Sequence, residues 1–201
     1  MEFAIPVTRF DPSHVTLNQP RIGTFKKTIP FGYSDSTLVF SSLILNLETL
    51  KVVEIDWDKN QLVLEEFTGL SFLSKLDQFQ KLVNTQITNN FRKFLTEEEL
   101  PDTLTILPLQ SCVKARRITL YLSNEPSSLP FFNDGGSGNT QATASKLSKD
   151  TVQPGDLIRV VVRLHGISLQ MTPSNIWTGK SRIQHHVLEL YKVSSPMAES
   201  L

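Results

Sequence analysis

The chain has 201 residues, a formal net charge of zero and an apolar content ordinary for a globular protein, which allows one well-packed domain or two very small ones. No apolar run approaches the roughly 20 residues of a membrane-spanning helix, and the N-terminal MEFAIPVTRF lacks the layout of a secretory signal. The single cysteine, Cys112, excludes an internal disulfide and fits a reducing compartment, so an intracellular protein with no membrane partner is expected.

Residues 1–22, with Pro6, Pro12 and Pro20, read as an irregular arm. GTFKKTIPFGY and STLVFSSLILNLETL follow as strand candidates, rich in β-branched and aromatic residues and interrupted at Pro30-Phe31-Gly32. KVVEIDWD and QLVLEEF flank Lys59-Asn60, which has hairpin-turn composition, and Glu65 and Glu66 end the second strand. At Ser71 the period changes. Phe72, Leu76, Phe79, Val83, Ile87, Phe91 and Phe94 fall at three- and four-residue intervals, with Leu73 and Leu82 beside them. That spacing predicts a helix over residues 71–96 with one broad apolar face. Asn84, Gln86, Asn89 and Asn90 take its polar side, Ser71 or Ser74 is the N-cap, and Pro101 ends any continuation.

Beyond the helix, ARRITLYLS alternates: Arg116, Ile118, Leu120 and Leu122 on one side, Arg117, Thr119, Tyr121 and Ser123 on the other. Residues 124–154 turn polar and small, and a long mobile loop is expected because they cannot bury enough apolar area to offset their ordering entropy. GDLIRVVVRLHGISLQ is the strongest strand. Ile158, Val160, Val162 and Leu164 face one way; Leu157, Arg159, Val161, Arg163 and His165 face the other. A last strand runs through SRIQHHVLELYKV, and residues 194–201 read as a frayed end. With no β-α-β alternation, a parallel doubly wound sheet is disfavoured. The expected fold is a single mainly β domain, an OB-like β-barrel with one long helix inserted mid-chain.

The triplet Gly179-Lys180-Ser181 has the tail of a phosphate-binding loop, but the position of the loop's first glycine is Ser174, after Pro173, and the residues beyond Ser181 read as strand. Without that glycine and a following helix, the backbone cannot cradle phosphates. The triplet is better read as a tight turn at Gly179 delivering Lys180 and Arg182 to the head of a strand. His185 and His186 are adjacent in a strand and point to opposite faces, and with His165 and Cys112 they lack zinc-ligand spacing. Cys112 reads as a half-buried inert thiol, and Glu97, Glu98 and Glu99 as a solvated helix exit. No nucleophile, acid–base pair or carboxylate dyad can be named, so neither an enzyme nor a cofactor is expected.

Charge is unevenly spread. Glu48 to Glu66 holds six acidic residues against Lys51 and Lys59, while Ser111 to Lys192 holds ten basic against five acidic, a distribution compatible with a one-sided anionic partner. Lys26 and Lys27 open an early strand; Arg159, Arg163 and His165 project from one strand face, Arg117 and Tyr121 from another, and Lys180 and Arg182 enter a third. Rings are interleaved: Phe25, Phe31 and Tyr33 early, Phe131 and Phe132 at the long loop, Trp177 in the turn. Cations along a groove neutralise phosphates and exposed rings stack on unpaired bases, the two requirements for holding a single strand. A plainer reading has Arg159 and Arg163 in salt bridges and Phe31, Tyr33 and Tyr121 in the core.

The order GTFKKTIPFGYSDSTLVFSS, LSKLDQFQKLVNTQITNNFRKFL, ARRITLYLS, GDLIRVVVRLHGISLQ and WTGKSRIQHHVLELYKV, across residues 21–193, resembles the OB-fold single-stranded DNA-binding proteins of large eukaryotic DNA viruses, distant relatives of replication proteins of short-tailed phages. The fragments that carry it are the glycine-initiated early strand, Leu76-Asp77, and Trp177-x-Gly179 ahead of Gln184. The resemblance implies sequence-tolerant protection of unpaired DNA during viral replication, in the host nucleus or a viral replication compartment, without catalysis. Single-stranded DNA is the implied partner, with a homodimer or replication proteins as further ones. Two positions depart from the family: SSPMAESL carries only Glu199 where the phage proteins have an acidic tail, and Ile167-Ser168 stands where an aromatic is expected. The residues leave two other classes open, a structural or assembly protein using the barrel for protein contacts and an enzyme of unrecognised type.

Overall fold

The computed structural model describes residues 4–23, 26–35, 39–67, 72–123, 130–134, 145–148 and 150–193. Its strands are β1 (Ile5–Pro6), β2 (Val15–Leu17), β3 (Arg21–Gly23), β4 (Lys26–Ser34), β5 (Val39–Phe40), β6 (Leu43–Asp56), β7 (Gln61–Glu66), β8 (Val113–Lys114), β9 (Arg117–Tyr121), β10 (Phe131–Asp134), β11 (Ser145–Lys146), β12 (Leu157–Met171) and β13 (Trp177–Lys192). One α-helix, α1 (Phe72–Asn90), sits between β7 and β8. Among the described residues the protein is therefore mainly β with a single α-helix, and its sheet is antiparallel except where β1 pairs β6 and β10 pairs β13.

The main path runs β11-β10-β13-β12-β6-β7-β9-β8, with β4 branching from β12. Its two ends do not pair, so this ladder does not close into a barrel. Between β13 and the β8–β9 end stand one parallel bridge, Gln110 to Arg182, and a 2.7 Å hydrogen bond from the Tyr121 N–H to His185 Nε2.

Alternation explains most of the core. Ile158, Val160, Val162 and Leu164 are buried, as their shared parity requires. The helix lays Leu76, Phe79, Val83 and Ile87 on this inner face, and Phe79 meets Phe31 and Phe10 edge-to-face at 5.2 and 5.7 Å. The helix stops at Asn90 and passes into a 3-10 turn over Phe91–Lys93, short of residue 96, and Leu82 is exposed. Ser71 lies outside the described residues; the Leu73 N–H is instead met by the Glu66 carboxylate at 2.9 Å. That carboxylate is an acceptor placed at a helix N-terminus by the end of β7.

Three segments differ from the expectation. The arm at residues 1–22 is built in: β1 adds to β6, β2 and β3 add to β4, and Val7 and Phe10 are buried. Within 124–154, β10 and β11 are strands and Leu147 and Val152 are buried, while residues 124–129, 135–144 and 149 lie outside the described residues, as does the expected frayed end at 194–201. Glu99 is no solvated exit: it is 6 % exposed and accepts from Lys27 Nζ at 2.7 and 2.8 Å.

Candidate nucleic-acid interface

A bulge in β12 positions the site. Leu164 pairs His185 and Gly166 pairs Gln184, so His165 is the extra residue. Buried positions switch there from Leu164 to Ile167, Leu169 and Met171, and the neighbour of β12 changes from β6, last paired at Leu43, to β4, first paired at Pro30. Gly166 is required. Its φ is +150°, and a Cβ would overlap the Ile29 carbonyl.

Past the bulge, the register sets one transverse row across the sheet: Arg21 pairs Thr28, Thr28 pairs Ser168, Ser168 pairs Arg182, and Arg182 bridges Gln110. Paired residues point to the same side, and three interstrand steps put Arg21 about 15 Å from Arg182. Lys26 and Gln170 form the adjacent pair. The segment before β8 walls the groove: its Leu107 and Gln110 N–H groups donate to Gly179 and Ser181 carbonyls, and Asn84 and Gln80 of the helix accept from Leu109 and Cys112 N–H groups. Asn84 thus faces this wall, rather than solvent alone.

Two adjoining concavities result, of about 800 and 920 Å³, sharing Lys26, Gln110 and Arg182. Their lining includes Arg21, Lys26, Lys180 and Arg182 and, among the described residues, no carboxylate. Tyr121, 44 % exposed, stands at one end with its ring 5.8 Å from that of His185. Burial, followed by Arg182, His165 and His186, pushes the His185 imidazole down to about 4. Burial, Arg163, His186 and Lys26 also lower His165, whose ring lies 6.3 Å from His186. At neutral pH both rings are uncharged.

Five of the twelve expected residues therefore border one groove: Lys26, Tyr121, His165, Lys180 and Arg182. The others do not. Lys27 is 7 % exposed and neutralised by Glu99, because alternation turns it inward while Lys26 turns outward. Phe31 and Tyr33 share that inward parity and are core residues. Trp177 is fully buried, its Nε1 donating to the Lys180 carbonyl at 3.0 Å. Arg117 lies 3.5 Å from Glu65, and Arg159 and half-buried Arg163 lie on β12 before the bulge, outside the groove lining. Of the further rings named, Phe25 lies outside the described residues, and Phe131 and Phe132 are residues of β10.

Gly179 is not a turn. The chain reverses at residues 172–176, and Gly179 sits within β13 at φ +78°, where a Cβ would overlap the Thr105 carbonyl. The triplet continues as strand to Lys192 rather than opening a helix, which removes the phosphate-loop geometry. Burial raises the Cys112 thiol to about 11, leaving it un-ionised. Arg21, Gln110 and Leu107 were missed by sequence reasoning: Arg21 lies in the supposed arm, and the others lie in a stretch with no periodicity. No protein-family model matches the chain, and no curated protein matches it in sequence.

Proposed function

We propose that the chain binds single-stranded DNA with little regard to sequence, through the groove over β3, β4, β12 and β13, and without making or breaking a covalent bond. The observation that carries this reading is the groove's charge: four cations and no carboxylate in the described lining of a chain whose net charge is zero. A low-dielectric trough of one sign attracts a flexible polyanion. The proposal includes an OB-type barrel, incomplete as a ladder, with the Gln110–Arg182 bridge and the Tyr121–His185 hydrogen bond across its gap. A role in viral DNA replication is carried over from the sequence resemblance alone.

The test is fluorescence anisotropy with labelled single-stranded and duplex oligonucleotides at two ionic strengths. Tight oligo-dT binding that weakens as salt rises supports the proposal; no binding, or equal binding at both salts, overturns it. Lys180→Glu with Arg182→Glu should lower affinity at least about tenfold. Arg159→Glu, about 30 Å away along β12, should change it by no more than about twofold. The assembly reading has its own support in the exposed Ile22 (74 %) and Val39 (81 %). A stable complex with a partner protein and no shift of DNA selects that reading.

A further inference from the structure

Strand β2 pairs β4 and, among the described residues, no other strand, so its far edge is open. The register sets Val15 against Tyr33, Thr16 against Gly32 and Leu17 against Phe31, and the Asn18 N–H donates to the Pro30 carbonyl, next in that register, at 2.9 Å. Bonded and non-bonded pairs alternate along an antiparallel ladder. Asn18 and Thr16 therefore turn their backbone groups towards β4, while Leu17 and Val15 turn theirs away. The Val15 N–H is taken by the Pro12 carbonyl. The Leu17 N–H and C=O and the Val15 C=O meet no partner among the described residues.

A cleft of about 650 Å³ lies against this edge, within the size range of ligand clefts. Its remaining lining comes from the C-terminal half of α1 and the turn beyond it, with Leu82, Val83 and Phe94 as the apolar part. Leu82 belongs to the apolar spacing of the helix yet is 45 % exposed. Lys93 is the one charged side chain in the lining and makes no ion pair among the described residues.

We propose that an extended segment of a partner protein adds to β2 as a further strand, seating an apolar side chain on Leu82 and Phe94 and an adjacent acidic residue at Lys93. The residue opposite Leu17 exchanges two backbone hydrogen bonds with it, and the Val15 C=O accepts a third. Its side chain emerges on the face of Leu17, which packs towards the core beside the helix. A helical partner would cover Leu82 but leave the Leu17 groups dry and unpaired, which is costly. The cleft shares no lining residue with the cationic groove, so both can be filled at once.

The test selects phage-displayed random peptides of about twelve residues on the immobilised full chain, then follows a selected peptide by fluorescence anisotropy and amide exchange. Selected sequences should converge on an apolar residue beside Asp or Glu. Leu82→Glu, at an exposed position, should weaken the peptide at least about tenfold, and Lys93→Glu about threefold or more. Neither should alter oligo-dT affinity. The peptide should slow exchange of the Leu17 amide at least about tenfold, and N-methylation of its apolar residue should abolish binding. No convergence, or a peptide indifferent to both substitutions and to Leu17 exchange, overturns the inference. Tolerance of the N-methyl group also overturns it, in favour of a helix lying on α1. A concentration-dependent dimer that itself protects Leu17 overturns it in favour of a second copy. Loss of oligo-dT binding with peptide binding intact counts against the cationic groove alone.

Discussion

Lys27 shows how one parity decides a residue's role. In KKTIPFGY, Lys27, Ile29, Phe31 and Tyr33 alternate with Lys26, Thr28, Pro30 and Gly32, and the apolar set goes inward. Lys27 has to follow, and it is tolerated because Glu99 meets it with both oxygens. Burial alone would raise the Glu99 carboxyl; hydrogen bonds from Lys27 and the Thr96 N–H outweigh it and hold the group below its ordinary 4.5. Lys27→Ala strands a buried carboxylate and should cost about 3–5 kcal/mol. Lys27→Met with Glu99→Leu removes both charges, forfeits only the Thr96 contact and should be more stable than the single variant, as urea unfolding would measure. A double variant less stable than Lys27→Ala would show that the pair itself, rather than the uncompensated charge, supplies the stability. The same parity was available in the sequence. Two adjacent lysines cannot both face a groove from one strand, and Phe31 and Tyr33 share the parity of Ile29, so their burial was legible there. Arg21 was not legible, because a register with Thr28 is a long-range pairing that no local pattern encodes.

At the scale of elements, strand order, the hairpin at residues 57–60 and the helix were visible because each has a local period or turn chemistry; Asn60 does take the positive φ of 52° such a turn uses. The bulge at His165 and the strand switch it allows were hidden, since an alternating pattern carries no mark of an inserted residue beyond Gly166 itself. The contact between β9 and β13 is an element-level consequence that titrates. His185 Nε2 accepts the Tyr121 N–H, which only the neutral ring can do. With the folded value lowered from 6.5 to about 4, the unfolded chain binds the proton more readily. Stability is then full above pH 6.5 and is lost as pH falls through the window down to about 4, by up to about 3 kcal/mol. Acid unfolding followed by circular dichroism should show this slope, and His185→Gln, unable to take the proton, should flatten it. An unchanged slope in the variant would assign the acid sensitivity to other groups.

For the whole molecule, the question is how a neutral chain holds a polyanion. Three of the six acids in its acidic stretch are occupied locally: Glu65 lies against Lys51 and Arg117, Asp56 against Lys59, and Glu66 against Arg116. Arg21, Lys26, Lys180 and Arg182 make no ion pair among the described residues and share one trough. Net charge thus understates the local field, and with little long-range steering the attraction acts mainly within about 10 Å at moderate salt. If each of the four cations displaces one counterion from a single strand, log affinity should fall against log salt with a slope of about −3. Anisotropy titrations of oligo-dT between about 50 and 200 mM salt would give that slope, and Lys180→Glu with Arg182→Glu should at least halve it. A slope near zero would mean that the four cations contact no phosphates, which overturns the proposal. A slope much steeper than −3 that survives the double substitution would place further phosphates on cations outside the groove, Arg159 foremost, since it is exposed and faces outward from β12.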